Sequence, residues 1–242
     1  MPAQVDPNLA VVTGAASGIG SACVDLLAGE GWTIVALDVD ETKLLRRKSE
    51  VWHDADVQTV VADLRDAKVA IETIERKIEP GRRIDALLNI AGIFRTTSPE
   101  DFDADVATDI LRINLVAPQA LSCGLWNRFS ADGCIVNAGS VSVSRFVPGA
   151  TTYTASKAGL AALTFSLHCT AAETGLRIYC INFGRVRTPM IASQASSDVP
   201  AASSQEAAAE ILACIEGNRR GKEGRMYPFI PYAERRRSAT TS

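Results

Sequence analysis

Val11-Val12-Thr13-Gly14-Ala15-Ala16-Ser17-Gly18-Ile19-Gly20 decides the fold. An apolar, β-branched run gives way to a turn with glycines at 14, 18 and 20, and helix-forming sequence follows. A buried strand hands over in this way to a helix whose unpaired N–H groups and positive dipole end hold a phosphate, while glycines let the backbone come close. The spacing Gly14-x-x-x-Gly18-x-Gly20 is longer than the G-x-G-x-x-G fingerprint, and no Lys-Ser/Thr pair follows to make a P-loop. The turn therefore reads as a dinucleotide site.

Outward from this stretch, short β-branched runs recur. Leu9 to Thr13, Thr33 to Asp38, Val57 to Ala62, Ile84 to Ile90, Cys134 to Ala138 and Ile178 to Phe183 read as strands buried on both faces, with a seventh through Arg225 to Ile230. Helical patterns at 19–29, 42–50, 66–78, 100–129 (broken) and 152–174 alternate with them, and Gly29-Glu30-Gly31 closes the first helix. The right-handed crossover rule then predicts a Rossmann-type α/β fold, a doubly wound parallel sheet of about seven strands with helices on both faces. At 242 residues and 47% hydrophobic, the chain is expected to be a single domain over 1–242.

A formal charge of -3 and a pI near 5.5 provide no phosphate-seeking field, so nucleic acid is not an expected partner. Cys23, Cys123, Cys134, Cys169, Cys180 and Cys214 include no C-x-x-C pair and read as reduced, packed residues; no metal site is expected. Met1 to Asp6 does not resemble a secretory leader and no apolar run is long enough to span a bilayer, so a soluble, cytoplasmic protein without membrane partners is expected. His53 and His168, the two histidines, read as solvated and structural.

Asp38 closes the second strand where a carboxylate can accept hydrogen bonds from both hydroxyls of an adenosine ribose and repel a 2′-phosphate. Neither Ala15, Ala16, Ser17 nor Val39 supplies a cation there, so NAD is favoured over NADP. Asp63 ends the third strand, placed to accept from an adenine amino group or to cap the next helix. Farther along, Tyr153 and Lys157 are four apart on one helix face, with Ser140 at a strand end and Asn114 in an earlier helical segment. A Y-x-x-x-K pair is weak evidence alone; the four residues together point to proton transfer at a bound dinucleotide.

The chain resembles the short-chain dehydrogenase/reductase family through Thr13 to Gly20, Asn89-Ile90-Ala91-Gly92, Asn114, Ser140, Tyr153-x-x-x-Lys157 and Asn182-Phe183-Gly184, over residues from about 8 to about 190. The resemblance implies that Tyr153 exchanges the proton, that the Lys157 ammonium makes its phenol acidic and binds the nicotinamide ribose, that Ser140 holds the substrate oxygen, and that Asn114 positions a water. It implies a cofactor site formed by Gly14, Ser17, Gly18, Ile19, Gly20, Asp38, Asp63, Leu64, Asn89, Ala91, Gly92, Tyr153, Lys157, Gly184, Val186 and Thr188. Two positions depart from the pattern: Ile90 stands where asparagine is usual, and Phe183 where proline is usual. The implied activity is hydride transfer between NAD(H) and a secondary alcohol or ketone. An NADP-dependent carbonyl reductase and a non-catalytic dinucleotide sensor are the alternatives. A homotetramer, or a dimer, is the implied assembly.

Phe94, Arg95, Ser142, Phe146, Val147 and Met190 fall where the substrate rim should be, Arg95 being either a carboxylate anchor or simply exposed. Residues 190–205, poor in large apolar side chains, read as a substrate lid or an ordinary solvated connection, and 233–242 as a flexible tail.

Overall fold

Seven strands, β1 (Leu9–Thr13), β2 (Thr33–Asp38), β3 (Val57–Val61), β4 (Ile84–Asn89), β5 (Phe129–Ser140), β6 (Arg177–Phe183) and β7 (Met226–Pro228), form one sheet in the order β3-β2-β1-β4-β5-β6-β7. Every pairing is parallel. The computed structural model describes residues 6–96, 98–145, 147–192, 201–219, 223–224 and 226–228. The doubly wound Rossmann arrangement expected from the strand and helix alternation is the one found. Chain order reverses between β1 and β4, and the crevice that such a reversal opens lies at the strands' carboxyl ends.

Period-two alternation distributes each strand between two cores. In β1, Ala10 and Val12 join the cluster containing Ala22, Cys23 and Leu27 of α1 (Gly18–Gly29) and Ile211 of α8 (Ser204–Ile215). Leu9 and Val11 join Ala70 and Ile74 of α3 (Ala67–Lys77), Leu121 of α5 (Ala117–Gly124) and Leu167 of α6 (Thr151–Thr170) on the other face. Each fully buried side chain such as Ile34 or Leu87 contributes about 1.5–3 kcal/mol. Gly20 is required by packing: a Cβ there would lie 2.1 Å from the Gly14 carbonyl oxygen, so only glycine lets α1 leave β1 this closely.

Three features differ from the sequence reading. The strand expected from Cys134 starts at Phe129 and runs through a register shift opposite Ile84 and Ala86. The expected break within 100–129 is a π-helical turn, Arg112–Val116, between α4 (Ala104–Leu111) and α5. Pro118 accounts for it, because proline has no N–H to give the carbonyl of Asn114, and the Ala117 N–H instead reaches back to Arg112. Third, α8 is absent from the reading. It opens on a capping box in which Ser203 and Glu206 satisfy each other's backbone N–H groups.

Of the expected lid, residues 193–200 lie outside the described residues; Pro189–Ala192 is a helical turn, and Ala202 bridges Val186. Phe146, Arg225 and the tail 233–242 also lie outside them. Among the described residues no helix is long and apolar enough to cross a membrane.

Candidate active site

A cleft with a cavity of about 280 Å³ opens beyond the carboxyl ends of β1 to β4 and β6. Gly14, Ser17, Gly18 and Ile19 line it from the turn after β1; Asp38, Asp63 and Leu64 line it from the ends of β2 and β3. Ala91 and Gly92, beyond β4, and Gly184, Val186 and Thr188, beyond β6, complete the wall. Leu37, Ala62, Ile93 and Ile113 also line it and were missed by sequence reasoning. They are apolar residues in apolar runs, with no signal separating wall from core.

The turn itself is built to receive an anion. Gly14 and Gly18 adopt φ of +69° and +56°, and a Cβ on either would press against Ala91 or Thr188 at 3.0 Å. Ser17 enters α1 in extended conformation without a side-chain cap, and no acidic residue occupies the first turn. The first N–H groups of α1 therefore face the cleft unsatisfied by side chains, which fits a dinucleotide pyrophosphate. The Thr13 hydroxyl clips the neighbouring loop in place, donating to the Leu88 carbonyl at 3.2 Å and accepting from the Ile90 and Ala91 N–H groups at 3.0 and 3.1 Å.

Asp38 accepts from the Ala16 N–H at 2.9 Å and from the Asp40 N–H at 3.0 Å, one bond to each carboxylate oxygen. It thus shapes the turn as well as lining the cleft, with acceptor capacity remaining on both oxygens. Asp63 caps the short helical turn after β3 through the Arg65 N–H and pairs with the Arg65 guanidinium, which holds its carboxyl below the usual carboxylate range. Arg65 also reaches Asp109 at 3.2 Å.

A second group of residues lies beside this cleft without lining it. Tyr153 and Lys157 sit in the first turns of α6, and Ser140 ends β5. The Tyr153 phenol lies beside Ser140, whose oxygen accepts from the Ser142 N–H at 3.1 Å. The Phe94 ring meets Tyr153 edge-on, centroids 4.7 Å apart. Lys157 is 5% exposed, its Nζ donating to the Ala138 carbonyl at 2.7 Å and lying 5.9 Å from the centre of the Tyr153 ring. Gly92 joins the two groups: a Cβ there would be 3.2 Å from Asn114 Oδ1 and 3.6 Å from Lys157 Nζ.

Burial and neighbouring groups set the electrostatics here. Burial pushes the Tyr153 phenol upward, opposed in part by Ser140. Desolvation pulls Lys157 itself down to about 8, partly opposed by Cys180. The Asn114 carboxamide is a clamp: it accepts from the Ile93 N–H at 2.9 Å and donates to the Ile93 carbonyl at 3.0 Å and to Ser156 Oγ at 3.2 Å. Asn89 does not line the cleft. It donates to Asn137 Oδ1 at 2.8 Å, and Asn137 donates to Thr164 at 2.9 Å, a buried polar row from β4 through β5 to α6. Gly20 packs α1 on its strand rather than lining the cleft. Of the expected rim, Met190 lines the cleft, Val147 is exposed and Ser142 is buried.

The sequence profile of short chain dehydrogenases matches residues 8–198. The chain belongs to the short-chain dehydrogenase/reductase family. It is similar to an uncharacterized short-chain type dehydrogenase/reductase of Sinorhizobium fredii, 35% identical over 78% of this chain and 34% of that one, so the chain spans about a third of that relative's length. It is 31% identical, over 77% of each chain, to a 3-oxoacyl-acyl-carrier-protein reductase of Thermotoga maritima. A 4-hydroxyisoleucine dehydrogenase complexed with NADH superposes with a TM-score of 0.82 at 25% identity, covering 93% of this chain and 97% of that one. The protein is an oxidoreductase of this family.

Proposed function

We propose that the protein is an NAD(H)-dependent oxidoreductase that interconverts a secondary alcohol and a ketone, with Ser140, Tyr153 and Lys157 handling the proton. The observation that carries this reading is the grouping of Ser140 beside the Tyr153 phenol, with the buried Lys157 Nζ 5.9 Å from the Tyr153 ring centre. A bound nicotinamide dinucleotide supplies the hydride donor or acceptor. Ser140 orients the substrate oxygen and supports its developing charge. Tyr153 gives its proton to that oxygen in reduction and takes it back in oxidation, its ring held by Phe94. Lys157, on turning from the Ala138 carbonyl toward the phenol, favours the phenolate and opposes the upward push of burial.

Preference for NAD rests on Asp38: among the described residues the cleft wall includes no lysine or arginine to offset its charge. The basic groups closest in sequence to the two carboxylates are engaged elsewhere, Lys43 with Asp40 and Arg65 with Asp63 and Asp109. The complex of 4-hydroxyisoleucine dehydrogenase with NADH is consistent with this choice. Steady-state assays over a panel of secondary alcohols and ketones, each with NAD(H) and NADP(H), test the reading. Turnover with NAD(H) that collapses in Tyr153→Phe is the expected result. Turnover untouched by that substitution removes the mechanism, and tighter NADPH binding removes the role of Asp38.

A further inference from the structure

Phenylalanine is placed in three ways in this molecule. Among the described residues Phe129 and Phe183 are buried in the two hydrophobic cores, and Phe102 and Phe165 lie open on the surface. Phe94 does neither. It is half-buried, belongs to neither core, and sets its ring edge-on against Tyr153 with centroids 4.7 Å apart and planes at 74°. An aromatic side chain is usually withdrawn from water by core packing; here its ring partner is the phenol of the catalytic group.

Both rings hang from backbone that a single carboxamide fixes. Asn114, itself fully buried, holds the N–H and the carbonyl of Ile93, the residue before Phe94. The same side chain donates to Ser156 Oγ, which donates in turn to the Tyr153 carbonyl at 2.7 Å. The spacing of the two rings is thereby set by buried hydrogen bonds on either side. The course of the loop supplies the direction: Gly92 and Ile93 line the nucleotide cleft and Phe94 does not, so the chain passes from cleft wall to phenol within one residue, and the ring stands where the two meet.

We infer that Phe94 is a specificity-determining residue, a fixed stop beside Tyr153 that admits a ketone only when one of its two substituents is small. This rests on the oxidoreductase reading above and assigns its substrate class, methyl ketones and the corresponding methyl carbinols. A carbonyl oxygen that reaches Ser140 and Tyr153 brings its substituents past the groups flanking the phenol, and the one on the Phe94 side meets an aromatic wall whose backbone is pinned. Apolar walls discriminate by size, one methylene being worth about 10- to 200-fold in transition-state binding.

The test is calorimetric titration into the NAD-loaded protein, a complex that cannot reduce a ketone, of ketone pairs that share one substituent and carry methyl or propyl as the other. In at least one pair the methyl member should bind roughly tenfold more tightly. Phe94→Ala should bring that pair to within about twofold, and Phe94→Leu, which keeps bulk on the wall, should retain most of the preference. Phe165→Ala, on the open surface of α6, leaves it intact. Steady-state kinetics with NADH should show the same change in the ratio of kcat/KM values. If no pair discriminates, or if the ratio in Phe94→Ala equals that of the unmodified protein, the proposal is overturned. Failure of the oxidoreductase reading gives a different pattern: the binding preference still follows Phe94, but no ketone of either size is reduced with either dinucleotide.

Discussion

Along β1 to β3 the cleft is shaped by backbone, with glycines at 14 and 18, the uncapped first turn of α1, and Asp38 bonded to two main-chain N–H groups. Along β4 to β6 it is shaped by buried side chains: Asn89, Asn137 and Thr164 in a row, Lys157 on the Ala138 carbonyl, and Asn114 clamping Ile93 and Ser156. The first half can exchange most side chains and keep its shape, provided its glycines stay. Members of the second half share partners, so changes there should be coupled rather than additive.

The largest effect separates chemistry from binding. Tyr153→Phe should lower turnover by roughly 10³-fold, while NADH binding followed by nicotinamide fluorescence stays close to that of the unmodified protein. An equal loss of NADH binding would erase the division between the halves. Next, Asp38→Ser should raise NADPH efficiency relative to NADH by about tenfold through removal of a like charge. Steady-state kinetics with both dinucleotides reads the ratio, and an unmoved ratio would make Asp38 a turn-shaping residue only.

Asn137→Ala should strip partners from Asn89 and Thr164 and cost about 1–3 kcal/mol, read as a lower urea midpoint at unchanged slope. Adding Thr164→Val should cost less than the sum of the two changes. Simple additivity would show that the row is not a unit. The smallest effect concerns pH. Lys157 in the folded protein titrates near 8, below its ordinary 10.5, so between these values the unfolded chain binds more protons. Stability contributed at this site therefore rises as pH climbs from about 8 toward 10. Thermal melts of the unmodified protein and Lys157→Met should diverge in favour of the former over that range. A constant gap would mean the ammonium is well solvated.

Most strands were legible because burial on both faces demands uninterrupted β-branched and aliphatic runs, as in Leu9–Thr13 and Thr33–Asp38. The glycine turn and the Tyr153 and Lys157 pair were legible because each is local in sequence. What the sequence did not reveal is non-local. The bond from Lys157 to Ala138 spans 19 positions, and the upward push on Tyr153 depends on surroundings contributed by several loops. Asn137 carried an overlooked signal, a carboxamide inside Ile135-Val136-Asn137-Ala138, which in a central strand requires a buried partner. α8 was not legible because its first turn continues a stretch poor in large apolar residues, and its one local signal is the Ser203 and Glu206 capping pair.

Helix α6 is fastened at Ser156 to Asn114 and, about two turns farther along and about 80° round, at Thr164 to Asn137. Two fasteners pointing in different directions fix the rotational phase of the cylinder as one could not. A roll of about 20° at a side-chain radius of about 5–6 Å would carry the phenolic oxygen sideways by about 2 Å, and a misplacement of half that can cost about 10²-fold in rate. Redesign of the surrounding loops for new specificity can therefore proceed without disturbing the timing of α6, so long as those two bolts remain.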